Sequence, residues 1–226
     1  MKNNNISRKD RLKSKRQAPA NYLIVCEGKK TEPNYFNGLK KKINEKYGNK
    51  VDVLIPNIDI KGTGMNTTSL VKYTQKTVNH ANKVYGQVWV VFDKDDYNDE
   101  QFNSAIDNCN YNVAWSNPNF ELWLLAHFKK VSRYVSKDDV LQELSKEFQK
   151  KGLGDYTKND TNIFDKVTGE GKLHTAIKNC EYMEELNMNP KLIERNLNLK
   201  ADHCVMRMEI ESRCRLRHGV KYEFST

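Results

Sequence analysis

Val88-Trp89-Val90-Val91-Phe92-Asp93-Lys94-Asp95-Asp96 is an unbroken apolar run that ends abruptly in acid. β-branched and aromatic residues in succession, without polar alternation, predict a strand covered on both faces, as in the middle of a parallel sheet. Earlier in the chain Tyr22-Leu23-Ile24-Val25 reads the same way and closes on Cys26-Glu27-Gly28. Parallel neighbours of this kind would deliver both acidic stretches to one end of the sheet, which is where open α/β sheets place their sites. Carboxylates gathered there either repel one another or share a divalent cation, and hard oxygen donors suit Mg2+ or Mn2+.

The segments around these runs supply the alternation of a doubly wound sheet. Thr31 to Tyr47 predicts a helix with Phe36, Leu39 and Ile43 on one face and Thr31 as its N-cap. A strand follows over Val51 to Ile60, where Val51, Val53 and Ile55 alternate before Pro56 disturbs the pattern. Lys61-Gly62-Thr63-Gly64 reads as a turn, and Asn66 or Thr67 can cap a helix carrying Leu70, Val71, Thr74, Val78 and Ala81. Beyond the central run come a short helix over Asp99 to Cys109, a strand over Asn112 to Trp115, and an apolar helix over Phe120 to Phe128. From Ser136 the chain turns helical and more charged. Ser136-Lys137-Asp138-Asp139 has the form of an N-cap with acid in the first turn, ahead of a stripe of Val140, Leu141, Leu144 and Phe148. A loop over Gly152 to Thr161 and a helix over Leu173 to Leu186 complete the pattern. The expected organisation is a basic, disordered arm at 1–20, an α/β domain at 21–135 and a helical extension at 136–226.

With 226 residues, 38% of them hydrophobic, the chain is too apolar for global disorder and long enough for one such domain with an appendage. Lysine and arginine total 38 against 29 acids, a formal charge of +9, which points to polyanionic partners and above all nucleic acid. The arm carries Arg8, Lys9, Arg11, Lys13, Lys15 and Arg16 with few aliphatics, so it is either a solvated tail or a basic arm that touches phosphates. Cys26, Cys109, Cys180, Cys204 and Cys214 are odd in number and scattered, without the spacing of a zinc site, as in a reduced compartment. No apolar run approaches a membrane span and no secretory core is visible at the start, so the reading is a cytoplasmic protein without a membrane partner.

Phosphodiester cleavage needs charge neutralisation on the transferring phosphate and activation of a water, and aspartates at Asp93 and Asp95 could hold the metal that does both. Such a DxD by itself is also an ordinary polar turn at a strand end. The companion Glu27-Gly28 adds weight, because a glycine lets the backbone turn sharply and a phosphate approach. Gly28, Lys29, Lys30 and Thr31, leading into a helix, then form a candidate phosphate cradle, with Glu27 placed for proton transfer or metal contact. Glu32 is a second acid, or else a favourable charge at the helix start. A nucleotide-binding P-loop fails on its leading glycine, which would fall at Leu23. An aspartyl phosphatase is disfavoured by Tyr97, which stands where that class usually has a small hydroxyl residue.

Glu27-Gly28 after one strand and Asp93-x-Asp95 after a later one resemble the Toprim domain of topoisomerases, primases, recombination factors and OLD-type nucleases. The longer strings Cys26-Glu27-Gly28-Lys29-Lys30-Thr31-Glu32-Pro33-Asn34-Tyr35-Phe36 and Ser116-Asn117-Pro118-Asn119-Phe120-Glu121-Leu122-Trp123-Leu124-Leu125-Ala126-His127-Phe128 resemble the RloB family specifically. That resemblance implies a Toprim (Rossmann-like) fold, a divalent metal, and a nuclease role in prokaryotic anti-phage defence by abortive infection, with an ATPase partner encoded beside it. It makes Glu27 the general acid/base or a metal ligand and Asp93 and Asp95 metal ligands, with Asp96 as helper. Glu121 and Lys158 are the counterparts of a further acid and a lysine in OLD-type nucleases. The alternative for Glu121 is a helix-start acid, and for Lys158 an exposed loop lysine. Phe120, Trp123, Leu124 and Phe128 read more simply as core than as base-stacking residues, and His127 as structural.

The chain departs from the family near its end, where Asn189-Pro190 runs into Lys191-Leu192-Ile193, and the arginines Arg207, Arg213, Arg215 and Arg217 beyond are either a solvated face or a phosphate track. The expectation is thus a metal-dependent nuclease acting on RNA, tRNA included, or on DNA. Its rival is a non-catalytic nucleic-acid-binding or sensor subunit that works through the ATPase. A topoisomerase is excluded by size. The number of copies, a homo-oligomer included, stays open.

Overall fold

In the computed structural model, which describes residues 21–48, 57–94, 97–131, 135–170 and 173–187, the two apolar runs are neighbouring strands. β1 (Asn21–Cys26) pairs in parallel with β3 (Gln87–Asp93), Cys26 lying opposite Val91. β2 (Asn57–Gly62) flanks β1 and β4 (Asn112–Ser116) flanks β3, giving one parallel sheet in the order β2-β1-β3-β4. The chain leaves β1 toward one edge and β3 toward the other, so the topological switch point lies between them. Helices α1 (Thr31–Tyr47), α2 (Thr67–Asn79) and α3 (Asp99–Asp107) make the crossovers. After β4 come α4 (Glu121–Ala126), α5 (Lys137–Lys150), α6 (Ile163–Glu170) and α7 (Leu173–Asn187).

Alternation along each strand divides the side chains between two apolar layers. Leu23, Val25, Val88, Val90 and Phe92 meet Leu70 of α2 and Phe102 of α3. On the opposite face Tyr22, Ile24, Cys26, Val91 and Ala114 meet Tyr35, Phe36 and Leu39 of α1 and Leu122 and Trp123 of α4. That second cluster continues without a break into Val140, Leu144, Phe148, Phe164, Val167 and Ala176, so α5, α6 and α7 share one core with the sheet. Gly38 explains how α6 comes so close to α1: a Cβ there would stand 2.3 Å from the Phe164 Cβ. The architecture is an α/β, Rossmann-like sheet covered by helices on both faces, as the alternation of segments predicts.

Local chemistry accounts for most element ends. Asn66 caps α2 by accepting from the Ser69 amide at 2.9 Å, and Asn98 caps α3 in the same way through Gln101 at 2.8 Å. Ser136 and Asp139 form a reciprocal capping box at α5. Four expectations are corrected. Lys30, not Thr31, occupies the N-cap of α1, without a side-chain cap. β2 runs on through Lys61-Gly62, because pairing with Val25 and Cys26 overrides their turn character, while Val51, Val53, Ile55 and Pro56 lie outside the described residues. The apolar helix after Pro118 is shorter than predicted, Glu121–Ala126. Finally Ile163–Glu170, which the sequence reading passes over, is a helix, since Ile163, Phe164 and Val167 find buried partners. The basic arm, Cys204, Cys214 and the arginines from Arg207 to Arg217 lie outside the described residues. Among those described, no helix is long and apolar enough to cross a membrane.

Candidate active site

The carboxylates meet at the C-terminal end of β1 and β3, beside the switch point. Asp93 ends β3, pairing in register with Ser116 of β4, and strand alternation puts it on the same face as Val91, toward α1 and α4. Lys94 turns the other way: its ammonium donates to the Tyr97 carbonyl and stands 5.7 Å from the centre of the Phe102 ring. Glu32 comes from the first turn of α1 and Glu121 is the first residue of α4, both buried. Glu27 follows β1 and reaches toward α2, where its Oε2 accepts from Thr67 Oγ1 at 3.5 Å and from the Asp93 amide at 3.3 Å.

The loop after β1 is shaped around Glu32. The Gly28 N–H donates to Glu32 Oε1 at 3.0 Å, and a Cβ at Gly28 would stand 2.2 Å from that carboxylate. Glu32 therefore holds the amide that the sequence reading offers to a phosphate. Thr31 is likewise engaged within the protein, its hydroxyl donating to the Lys158 carbonyl at 3.2 Å, whereas Lys29 and Lys30 are exposed. Gly64, at φ +67°, adopts a backbone that favours glycine, and its N–H donates to the Glu27 carbonyl at 2.6 Å, tying the β1 loop to the loop after β2.

Crowding of like charge away from water raises these acids. Burial, reinforced by the Glu32 charge, pushes Glu27 up to about 7. Glu32 is raised by burial and by Glu121, against the opposing pull of the Gly28 amide and Lys158. Asp93 is pushed well above the usual carboxylate range by burial and by Glu32, Glu121 and Glu27, although the Phe120 amide donates to it. The buried Cys26 thiol is driven up by burial and then by Glu32 and Asp93, so it stays a thiol.

Glu121 differs in having donors on its own account. Its Oε1 accepts from the Tyr156 hydroxyl at 2.9 Å and faces the Lys158 ammonium at 3.4 Å. Lys158 is an exposed loop lysine, its side chain 63% exposed, and it is also part of this cluster. Tyr156 and Thr67 are the site residues that sequence reasoning misses. Tyr156 contacts an acid 35 positions away, a separation that no local pattern reports. His127, by contrast, is a core residue: Nδ1 donates to the Trp123 carbonyl at 3.0 Å, Tyr35 bonds Nε2 at 3.3 Å, and burial pushes the imidazole down to about 4. Phe120, Trp123 and Leu124 are buried core, and Phe128 packs on Phe148.

The structure thus brings together Glu27, Glu32, Asp93, Glu121 and Lys158, while Asp95 and Asp96 lie outside the described residues. Among the described residues no three acid, imidazole or thiol groups are grouped closely enough to hold one ion. The clustered side chains offer carboxylate oxygens, the donor type that hard divalent cations take, without three of them meeting at one point among the described residues.

The chain is an α/β protein with an all-parallel Rossmann-like sheet and a cluster of buried acids at its switch point. The family model for RloB-like protein matches residues 22–201, taking in the sheet and the helices after it, and the chain belongs to that family. Comparison with curated proteins and with solved structures gives no match.

Proposed function

We propose that the protein is a Mg2+- or Mn2+-dependent nuclease, a Toprim variant of the Rossmann-like fold, that cleaves RNA, tRNA among its targets, or DNA in prokaryotic anti-phage defence. The observation that carries this reading is the convergence of Glu27, Glu32, Asp93 and Glu121 at one sheet end, where burial and mutual repulsion raise three of them. Glu27, Asp93, Asp95 and Glu121 would hold the cation, with Asp96 assisting. When bound, a divalent ion neutralises charge on a phosphate and acidifies a water. Glu27, poised at about 7, can hold or release a proton near neutral pH, as a general acid/base requires. Exposed Lys29 and Lys30, with Lys158 at the mouth, supply positive charge for the phosphate backbone. Cys26, Cys109 and Cys180 are free thiols, in keeping with work in the cytoplasm, where an ATPase partner would supply the trigger.

The test is cleavage of a panel of tRNA, single-stranded DNA and duplex DNA by the purified chain with Mn2+ or Mg2+, beside Asp95→Ala. Metal-dependent cutting that disappears in the variant is the expected result. If neither protein cuts any member of the panel, alone or with the ATPase encoded beside it, the chain is a non-catalytic subunit.

A further inference from the structure

Lysines on α1 and α5 are balanced within a helical turn. Lys41 and Lys42 stand 3.9 and 3.8 Å from Glu45, and Lys146 and Lys150 stand 2.8 and 3.9 Å from Glu143 and Glu147. α2 is different. Acids make up 29 of the 226 residues, yet none occurs between Asp59 and Asp93, the longest acid-free stretch of the chain, and α2 lies inside it. Among the described residues neither Lys72 nor Lys76 of α2 forms an ion pair with any other element. Like charges four positions apart destabilise a helix, so this pair brings the fold no gain of its own.

Helical spacing turns that composition into a surface. Leu70 and Thr74 are buried toward the sheet, whereas Thr68, Lys72 and Lys76 form one exposed row on the opposite side, continued by the C-cap His80. Residues four apart on a helix are about 6 Å apart along its axis, within side-chain reach of successive phosphates of one strand. The row begins at the acidic site, because Thr67, the first residue of α2, donates to Glu27 Oε2. Just ahead of the helix the Lys29 side chain lies across Gly64, where a Cβ would stand 2.4 Å from the Lys29 Cε. From the flank, Lys61 of β2 extends over the Tyr73 ring, its ammonium 5.9 Å from the ring centre. The remaining exposed side chains of α2 include Ser69, Gln75 and Asn79, neutral hydrogen-bonding groups of the kind that contact phosphate and sugar, and the row offers no large apolar group to enter a bilayer.

We infer that the exposed row of α2, carried by Thr68, Lys72 and Lys76, is a track on which a nucleic-acid strand lies by its phosphates as it leads into the site at Glu27. The charge complementarity is that of a polyanion, and the identity of that polyanion rests on the nuclease reading above. The track gives α2 a role beyond roofing the sheet and extends the positive surface away from the acids.

The experiment is fluorescence anisotropy of the full chain with a labelled single-stranded RNA and a labelled duplex DNA, in EDTA over a series of salt concentrations, with cleavage in Mn2+ assayed in parallel. Wild type is compared with the double variant Lys72→Gln/Lys76→Gln and with Lys41→Gln/Lys42→Gln, which removes the same charge from α1. Gln is close to Lys in helix propensity, so all three proteins should melt alike. The α2 double variant should bind about tenfold more weakly at low salt, and its slope of log K against log salt should become shallower by about 1.4 on the RNA or about 1.8 on the duplex, as two lost phosphate contacts require. The α1 double variant should stay near wild type in both respects. Equal deficits in the two double variants, wild-type binding by the α2 variant, or a wild-type chain that binds polyglutamate and neither nucleic acid would overturn the inference. Failure of the nuclease reading looks different: wild type would bind and leave every substrate intact in Mn2+, while the α2 deficit in binding persists.

Discussion

On the face covered by α2 and α3, the strands bury Leu23, Val25, Val90 and Phe92 against Leu70 and Phe102. Across the sheet, under α1 and α4, an equally apolar layer of Tyr35, Phe36 and Trp123 runs directly into Glu32 and Glu121, the two acids buried among the described residues. Among the described residues the quiet face is roofed by crossover helices alone. The other face is completed by α5, α6 and α7, which share its core and return the 156–158 segment to the sheet end. Charge can be concentrated there because distant segments converge on it, at a cost in stability.

The sharpest break in that comparison is Asp93→Asn. It should lower cleavage by about 10^3-fold, the scale of losing charge stabilisation at a reacting phosphate, and should leave the metal-free protein at least as stable as wild type. Activity and unfolding measured on one preparation check both halves. Phe102→Ala on the quiet face should do the reverse, costing about 3–5 kcal/mol in urea unfolding while the activity per folded molecule stays at the wild-type level.

Glu27 gives an intermediate effect with a definite sign. Its folded-state value of about 7 exceeds the ordinary 4.5, so between those limits the native protein binds a proton that the unfolded chain has released, and stability falls as pH rises. His127, pushed down to about 4 from 6.5, has the opposite slope over that lower interval. Comparison with Glu27→Gln isolates the acid: in metal-free buffer the variant should match wild type at about pH 5, and at about pH 8 exceed it by on the order of 2 kcal/mol. Urea unfolding at both pH values reads this directly. The smallest effect belongs to Ser136→Ala, which breaks the α5 capping box at a cost of about 1 kcal/mol and should leave Mn2+ affinity unchanged, since its partner is Asp139 and none of Glu27, Glu32, Asp93 and Glu121.

What the sequence reveals and what it hides follow the same division. β1 and β3 are legible because uninterrupted β-branched and aromatic runs fit few structures other than buried strands, and the acids at their ends follow from parallel pairing. Gly28 is legible as a close approach, but its partner is Glu32, because nothing in Glu27-Gly28-Lys29-Lys30 distinguishes a protein carboxylate from a phosphate. Thr31 looks like a cap until a carbonyl 127 residues away takes its hydroxyl. Ile163–Glu170 escapes because three apolar residues after a loop carry little periodicity; Gly38, which lets Phe164 approach, resembles a weak point in α1 when read alone. Local pattern reports elements, and the site is made by their long-range meetings.

The most direct test of that account is thermal unfolding of wild type and Asp93→Asn at about pH 8, where the clustered acids are most costly, with and without Mn2+. The wild-type melting temperature should rise by about 5 °C with the cation, and Asp93→Asn should respond far less from a metal-free value at least as high. Equal responses in the two proteins, or none in wild type, would contradict the claim that these carboxylates are gathered to share a cation.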